Sequence, residues 1–212
     1  MLEVDGVRVP QQPRSRRTRA KLLEGAQRAF SELGYASATA RVIAERAGVS
    51  AGSFYQYFRD KDAVLRELAV GRFQGIATRA LAILDDDAEP PAADLERDAR
   101  QRMAAVVEAV MAYHYEDPGL HQVLHERRAY DRELDHLTRQ AEAALFEAIA
   151  GLLARWEHSG DHAATAFVLF GMVEGTIHAH CLGGPVVPDD RFVDALVDAL
   201  VRVALPHRSP GS

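Results

Sequence analysis

Residues 43–58, IAERAGVSAGSFYQYF, constrain the fold more than any other stretch of the chain. Two short helical patterns flank Gly48, and a three- or four-residue turn containing glycine between two such helices makes a helix-turn-helix. Ile43 and Ala44 pack the first helix, Gly48 permits the turn, and Val49 plugs the space between the two. Thr39 is placed to cap the first helix through its hydroxyl, and Ser50 to cap the second, which runs to about Tyr57. Phe54 and Phe58 are four residues apart, so they share one face, the core face. Tyr55 lies on another face, with Gln56 and Tyr57 toward a groove. Ser50, Ala51, Gly52 and Ser53 are all small, which lets the second helix approach a DNA duplex closely with its leading residues toward base edges.

The rest of the chain is also helical in pattern. From Ser15, Leu22, Leu23, Ala26, Phe30 and Leu33 recur at spacings of three and four, and Gly34 is a stop. Asp60 or Lys61 opens a fourth helix. Residues 85–94, DDDAEPPAAD, read as a loop. Helices are then expected from about Leu95 to Tyr115, Leu120 to Arg127, Asp131 to His158, His162 to Leu182 and Asp190 to Ala204, with Asp117-Pro118-Gly119 as a turn. Alternating β-branched runs are few, so a sheet is not expected. The fold class is all-α, about nine helices: an N-terminal three-helix head and a C-terminal helical body. Residues 1–14 show no periodic apolar face and read as a disordered tail; 15–61 form the head and 62–206 the body.

Charge divides along the same line. Residues 1–61 carry eleven Lys or Arg against six Asp or Glu, while 62–212 carry fourteen against 25. A basic segment on an acidic body points to a polyanion-binding module joined to a second task. The basic run RSRRTR (14–19) can reach a phosphate or the minor groove. A single cysteine, Cys181, excludes an internal disulfide framework and fits a reducing compartment. No run of 18 uninterrupted apolar residues or signal-peptide core occurs, so a cytoplasmic protein off the membrane is expected. No phosphate loop, nucleophile elbow or metalloprotease motif is present, so the chain does not read as an enzyme. His121 with His125, and His178, His180 and Cys181, do not assemble a clear ligand set, and neither metal nor cofactor is expected.

The stretch from about Thr18 to Leu65 resembles the DNA-binding domain of TetR-type transcriptional regulators. The resemblance rests on Ala26-x-x-x-Phe30, Gly34-Tyr35, Thr39, Ile43-Ala44, Ala47-Gly48-Val49-Ser50, Gly52, Tyr55-x-x-Phe58 and Lys61. It implies phosphate contacts from Thr39, Tyr55 and Lys61, and base or backbone contacts from Ser50, Ala51, Gly52, Ser53, Gln56 and Tyr57. Two positions depart from the pattern: Val42 stands where the family often has an acid, and Ala51 where it often has Lys or Arg. The resemblance also implies a body that binds a ligand and dimerises.

In the body, candidate pocket residues combine bulk with a few polar heads: Met103, Glu108, Met111, Tyr113, His114, Tyr115, Leu124, Phe146, Trp156, Phe170, Glu174 and His178. Glu174, an acid amid apolar neighbours, is either a ligand contact or an interface carboxylate. Phe167, Phe170, Ile177, Phe192, Leu196 and Leu200 make the last two helices apolar beyond one stripe, which a second copy would cover. The expected function is a homodimeric repressor on a palindromic double-stranded DNA operator, released by a small, largely apolar effector. The alternative is a DNA-binding regulator or activator without a small-molecule effector, its body serving dimerisation or partner recruitment.

Overall fold

The structure, a computed structural model, describes residues 3–4, 7–8, 13–84 and 94–205. A strand pair, β1 (Glu3–Val4) antiparallel to β2 (Val7–Arg8), precedes nine helices among the described residues. These are α1 (Pro13–Ser37), α2 (Ala40–Arg46), α3 (Ala51–Phe54), α4 (Lys61–Leu84), α5 (Leu95–Glu116), α6 (Pro118–Arg128), α7 (Arg132–Arg155), α8 (His162–Leu182) and α9 (Asp189–Ala204).

The all-α expectation holds apart from that strand pair. It falls in residues 1–14, read from sequence as a tail. α1 also starts earlier than Ser15, at Pro13, because proline's fixed φ suits a first helical turn. Gly34, at φ 72°, interrupts α1 where a stop was expected. α3 is shorter than expected, closing at Phe54, with the chain turning through Tyr55–Tyr57. Residues 85–93 of the acidic proline loop lie outside the described residues, as does residue 206.

Packing divides the chain into two compact units, Met1–Phe73 with Asp117–Thr138, and Gln74–Glu116 with Arg139–Ser212. In the first unit Leu22, Phe30, Ile43, Phe54 and Leu65 are fully buried, and Leu120, Leu124 and Leu134 join the same core. Emptying one such site, as in Phe54→Ala, costs about 3–5 kcal/mol. The unit is wider than residues 15–61 because polar contacts tie α6 and the start of α7 to α1 and α4. Asp117 caps α6 and accepts from Leu120 N, Ser31 Oγ and Gln27 Nε2 at 3.0, 2.7 and 2.9 Å. Two residues on, a Cβ at Gly119 would sit 2.2 Å from the Ser31 carbonyl oxygen, so only glycine allows this approach. Arg66 of α4 donates to Asp131, before α7, at 2.9 Å.

The second unit packs Met103, Val107, Leu152, Trp156, Leu169, Ile177 and Leu200 into one core. Arg102 and Arg155 donate to the carbonyls of Ile83 and Leu84, placing cations where the end of α4 leaves carbonyls without helical partners. α8 buries Ala166, Leu169, Ile177 and His180. Its other side exposes Ala164, Val168, Gly171, Gly175 and Ala179. By length and composition α8 is apolar enough to cross a membrane, which the sequence reading did not anticipate. Its Val, Leu, Ile, Phe and Ala residues carry the average without making an uninterrupted apolar run, since Glu174 and the histidines break it.

Candidate nucleic-acid interface

The interface is built on α2, the turn at Gly48 and α3. Thr39 Oγ1 accepts from Val42 N at 3.3 Å and starts α2. Gly48, at φ 66°, takes the left-handed turn while its amide donates to Glu45 O and that of Val49 to Ala44 O, both at 3.0 Å. Ser50 Oγ accepts from Ser53 N at 3.2 Å and lies 2.8 Å from Ser53 Oγ. Both caps therefore arise from the residues expected to supply them.

Burial sorts the recognition segment. Phe54 and Phe58 are buried, with ring centroids 5.9 Å apart. Tyr55 is 63% exposed and meets the Phe54 ring edge-on at 5.3 Å. Ala51, Gly52 and Gln56 are exposed. Tyr57, expected beside Gln56 on the groove side, is instead half-buried against the head's core, as is Val49. Tyr57 is three residues from Phe54, and its amide and that of Phe58 both donate to Phe54 O at 3.0 Å, so helical spacing itself sets it beside the face that Phe54 and Phe58 share.

Lys61, at the first position of α4, has its ammonium 2.6 Å from Tyr35 O, 3.5 Å from Ala36 O and 3.9 Å from the centre of the Tyr35 ring. Burial lowers the Lys61 pKa, and the Arg127 charge adds to that while Asp62 opposes it. Tyr35 also has Arg127 4.0 Å from its ring centre, and its hydroxyl donates to Asp62. Burial first, then the hydrogen bond to Asp62, pushes the phenol up to about 12. In the basic run, Arg14, Arg16 and Arg17 are exposed. Arg19 is drawn inward, paired to Glu67 and over the Phe58 ring at 4.8 Å.

The body candidates fall into different surroundings. Met103, Met111, Tyr113, His114 and Trp156 are buried; Phe146, Phe170, Glu174 and His178 are half-buried; Glu108 and Tyr115 are exposed. Phe146 and Phe170 meet at 4.7 Å, and His114 and His178 edge-on at 6.0 Å. Leu124 belongs to the other unit, in the core of the head. Of the expected dimer residues, Phe167 is 69% exposed, whereas Ile177, Leu196 and Leu200 are buried in the second unit's own core. Phe192 is half-buried, stacked on His180 at 4.1 Å. Sequence reasoning passed over Ser31 and Gln27 and read Asp117-Pro118-Gly119 as a turn, although Asp117-Pro118 was readable as a cap followed by a first-turn proline.

Residues 22–68 match the family model described as bacterial regulatory proteins, tetR family. Residues 98–203, half of the chain, match that of the tetracyclin repressor-like C-terminal domain. The chain belongs to the TetR family. Within it, the HTH-type transcriptional repressor Rv1474c of Mycobacterium tuberculosis is 41% identical over 64 residues, 29% of this chain and 34% of that one. The chain thus spans about a third of that relative's length. The HTH-type transcriptional regulator TtgR of Pseudomonas putida is 25% identical over 190 residues, 85% of each chain. A TetR-like transcriptional regulator from Rhodococcus sp. RHA1 superposes with a TM-score of 0.61 at 22% identity, covering 93% of this chain and 96% of that one. That likeness shows that the TetR fold extends over nearly the whole chain.

Proposed function

We propose that this TetR-family chain is a cytoplasmic transcriptional repressor that binds a palindromic operator as a homodimer and is released by a small, largely apolar molecule. The carrying observation is the recognition segment, whose exposed Ala51, Gly52, Tyr55 and Gln56 stand on a helix-turn-helix held from behind by Phe54 and Phe58. Thr39 and Tyr55 are exposed hydroxyls suited to phosphate. Lys61 has three N–H groups, and two carbonyls leave one to point at the backbone of a duplex.

Dimerisation is supported by the exposed face of α8. Gly171 and Gly175 have open space where a side chain would stand, and Ala164, Val168 and Ala179 continue the stripe. A second copy of α8 can pack its backbone close against such a face, with the exposed Phe167 alongside. Ile177, Leu196 and Leu200 stiffen this face from beneath. For the effector, Met103, Met111 and Trp156 in the core and the Phe146–Phe170 pair supply apolar bulk that can part around a ligand, and half-buried Glu174 and His178 supply polar contacts. An effector releases DNA only if it binds more tightly to the dimer arrangement that fits the operator poorly.

Fluorescence anisotropy of the full-length protein against duplexes selected from a random pool tests the reading. Binding that weakens steeply with salt, one dimer per palindrome, is expected. Retention of no duplex at low salt would sink it.

A further inference from the structure

Resting on the DNA-binding reading above, we propose that the centre of each half-site is read as A·T pairs, the Ala51 methyl against a thymine 5-methyl and the Gln56 carboxamide against adenine. The observation is what the recognition segment offers once its internal contacts are counted. One of the Ser50 and Ser53 hydroxyls donates to the other across 2.8 Å, and the Ser50 oxygen also accepts the Ser53 amide. Phe54 is in the core, Tyr57 is half-buried against it, and Gly52 has no side chain. Ala51 and Gln56 are left, beside the Tyr55 phenol and the capping Ser50, as the exposed side chains of the segment.

Their chemistry is specific. A lone exposed methyl has no hydrogen bond to offer, and in the major groove its favourable partner is the thymine methyl. A carboxamide donates and accepts side by side and matches adenine N7 and N6. Guanine is read most often by Arg or Lys. Residues 50–57 contain neither; of the cations just downstream, Arg59 is paired with Asp60, and Lys61 lies at the start of α4 against the Tyr35 and Ala36 carbonyls. The small Ala51 thereby favours a base pair that a long basic side chain would not select.

Duplexes selected from a random pool by the full-length protein are resynthesised with each thymine replaced in turn by uracil, which lacks only the 5-methyl. Binding is measured for the wild type, Ala51→Gly and Gln56→Ala, with circular dichroism melting to confirm that each variant is folded. Loss of one methyl contact is worth roughly fourfold per half-site at one position. That loss is expected in the wild type and absent in Ala51→Gly. Gln56→Ala should lose its preference for adenine at one neighbouring position while keeping the uracil effect. Equal uracil effects in wild type and Ala51→Gly, no uracil effect anywhere, or a selected half-site with a G·C centre would each overturn the proposal. Failure to retain any duplex in a salt-sensitive manner overturns the DNA-binding reading and takes this proposal with it.

Discussion

Asp117 and Ser31, 86 residues apart in sequence, are joined by a 2.7 Å hydrogen bond in which the serine hydroxyl donates to the carboxylate that caps α6. The contact makes α6 part of the first unit, and the carboxylate has no spare role: its oxygens also take the Leu120 amide and the Gln27 carboxamide. Removing it by Asp117→Ala strips the cap from α6 and leaves two side-chain donors without their acceptor. We expect a loss of about 2–4 kcal/mol in the urea unfolding of the protein, against about 1 kcal/mol for Ser31→Ala. Hydrogen exchange should show the added opening concentrated in α6. Equal, small losses from both would remove Asp117 from this role.

Stability should fall in acid. Burial pushes the carboxyls of Asp117 and Asp131 up, but hydrogen bonds outweigh it, from Leu120, Ser31 and Gln27 at Asp117 and from Arg66, Leu134 and Glu133 at Asp131. Both are therefore held below the usual carboxylate value. A depressed folded pKa contributes stability that is fully present above the unfolded value near 4, and that stability is lost as pH falls through the lower folded value. Urea midpoints measured from pH 7 to pH 2 should drop below about pH 4, and Asp131→Asn should flatten part of that drop.

Glycines at two positions should answer alanine oppositely. At Gly119 the new Cβ meets the Ser31 carbonyl oxygen, so Gly119→Ala should destabilise by about 1–3 kcal/mol. At Gly52 the space is open and the residue lies inside α3, so Gly52→Ala should raise stability slightly, by up to about 1 kcal/mol. The same Gly52→Ala change should weaken DNA binding, since it thickens the edge that enters the groove. Thermal melts and anisotropy on the same samples separate the two effects.

Tyr55→Phe removes a hydroxyl from an exposed ring and leaves the edge contact with Phe54 intact. Affinity should fall for all duplexes alike, by roughly 1 kcal/mol, with the selected sequence unchanged and the melting temperature held. A change in sequence preference would instead make Tyr55 a reader of bases.

Val168→Glu puts a charge in the exposed stripe of α8 without touching the core of its unit. Sedimentation should then report a monomer, against the dimer proposed for the wild type, with helicity retained and operator affinity reduced. An unchanged dimer would place the interface elsewhere.

Much of the head was readable because its signals are local. Thr39, Gly48 and Ser50 act on amides within five residues of themselves, and the four-residue spacing of Phe54 and Phe58 sets their common face whatever surrounds it. Tyr57 was assigned to the groove side although it lies three residues from Phe54, a spacing that sets it beside the core face where it is half-buried. In the body, helical period alone could not tell Ile177, Leu196 and Leu200, which face inward, from Ala164, Val168 and Gly175, which face out. Small residues carry little hydrophobic weight in a sequence pattern, so the exposed stripe was the fainter signal.

The sequence by itself determined the nine helices found among the described residues, the capped turn at Gly48 and a basic head on an acidic body, since each follows from neighbours in the chain. Only the tertiary structure decided that Asp117, Gly119 and Asp131 belong with the head, and which face of α8 is left uncovered. Those depend on surfaces meeting across many residues of chain, where a single carbonyl 2.2 Å from an absent Cβ settles what may stand there.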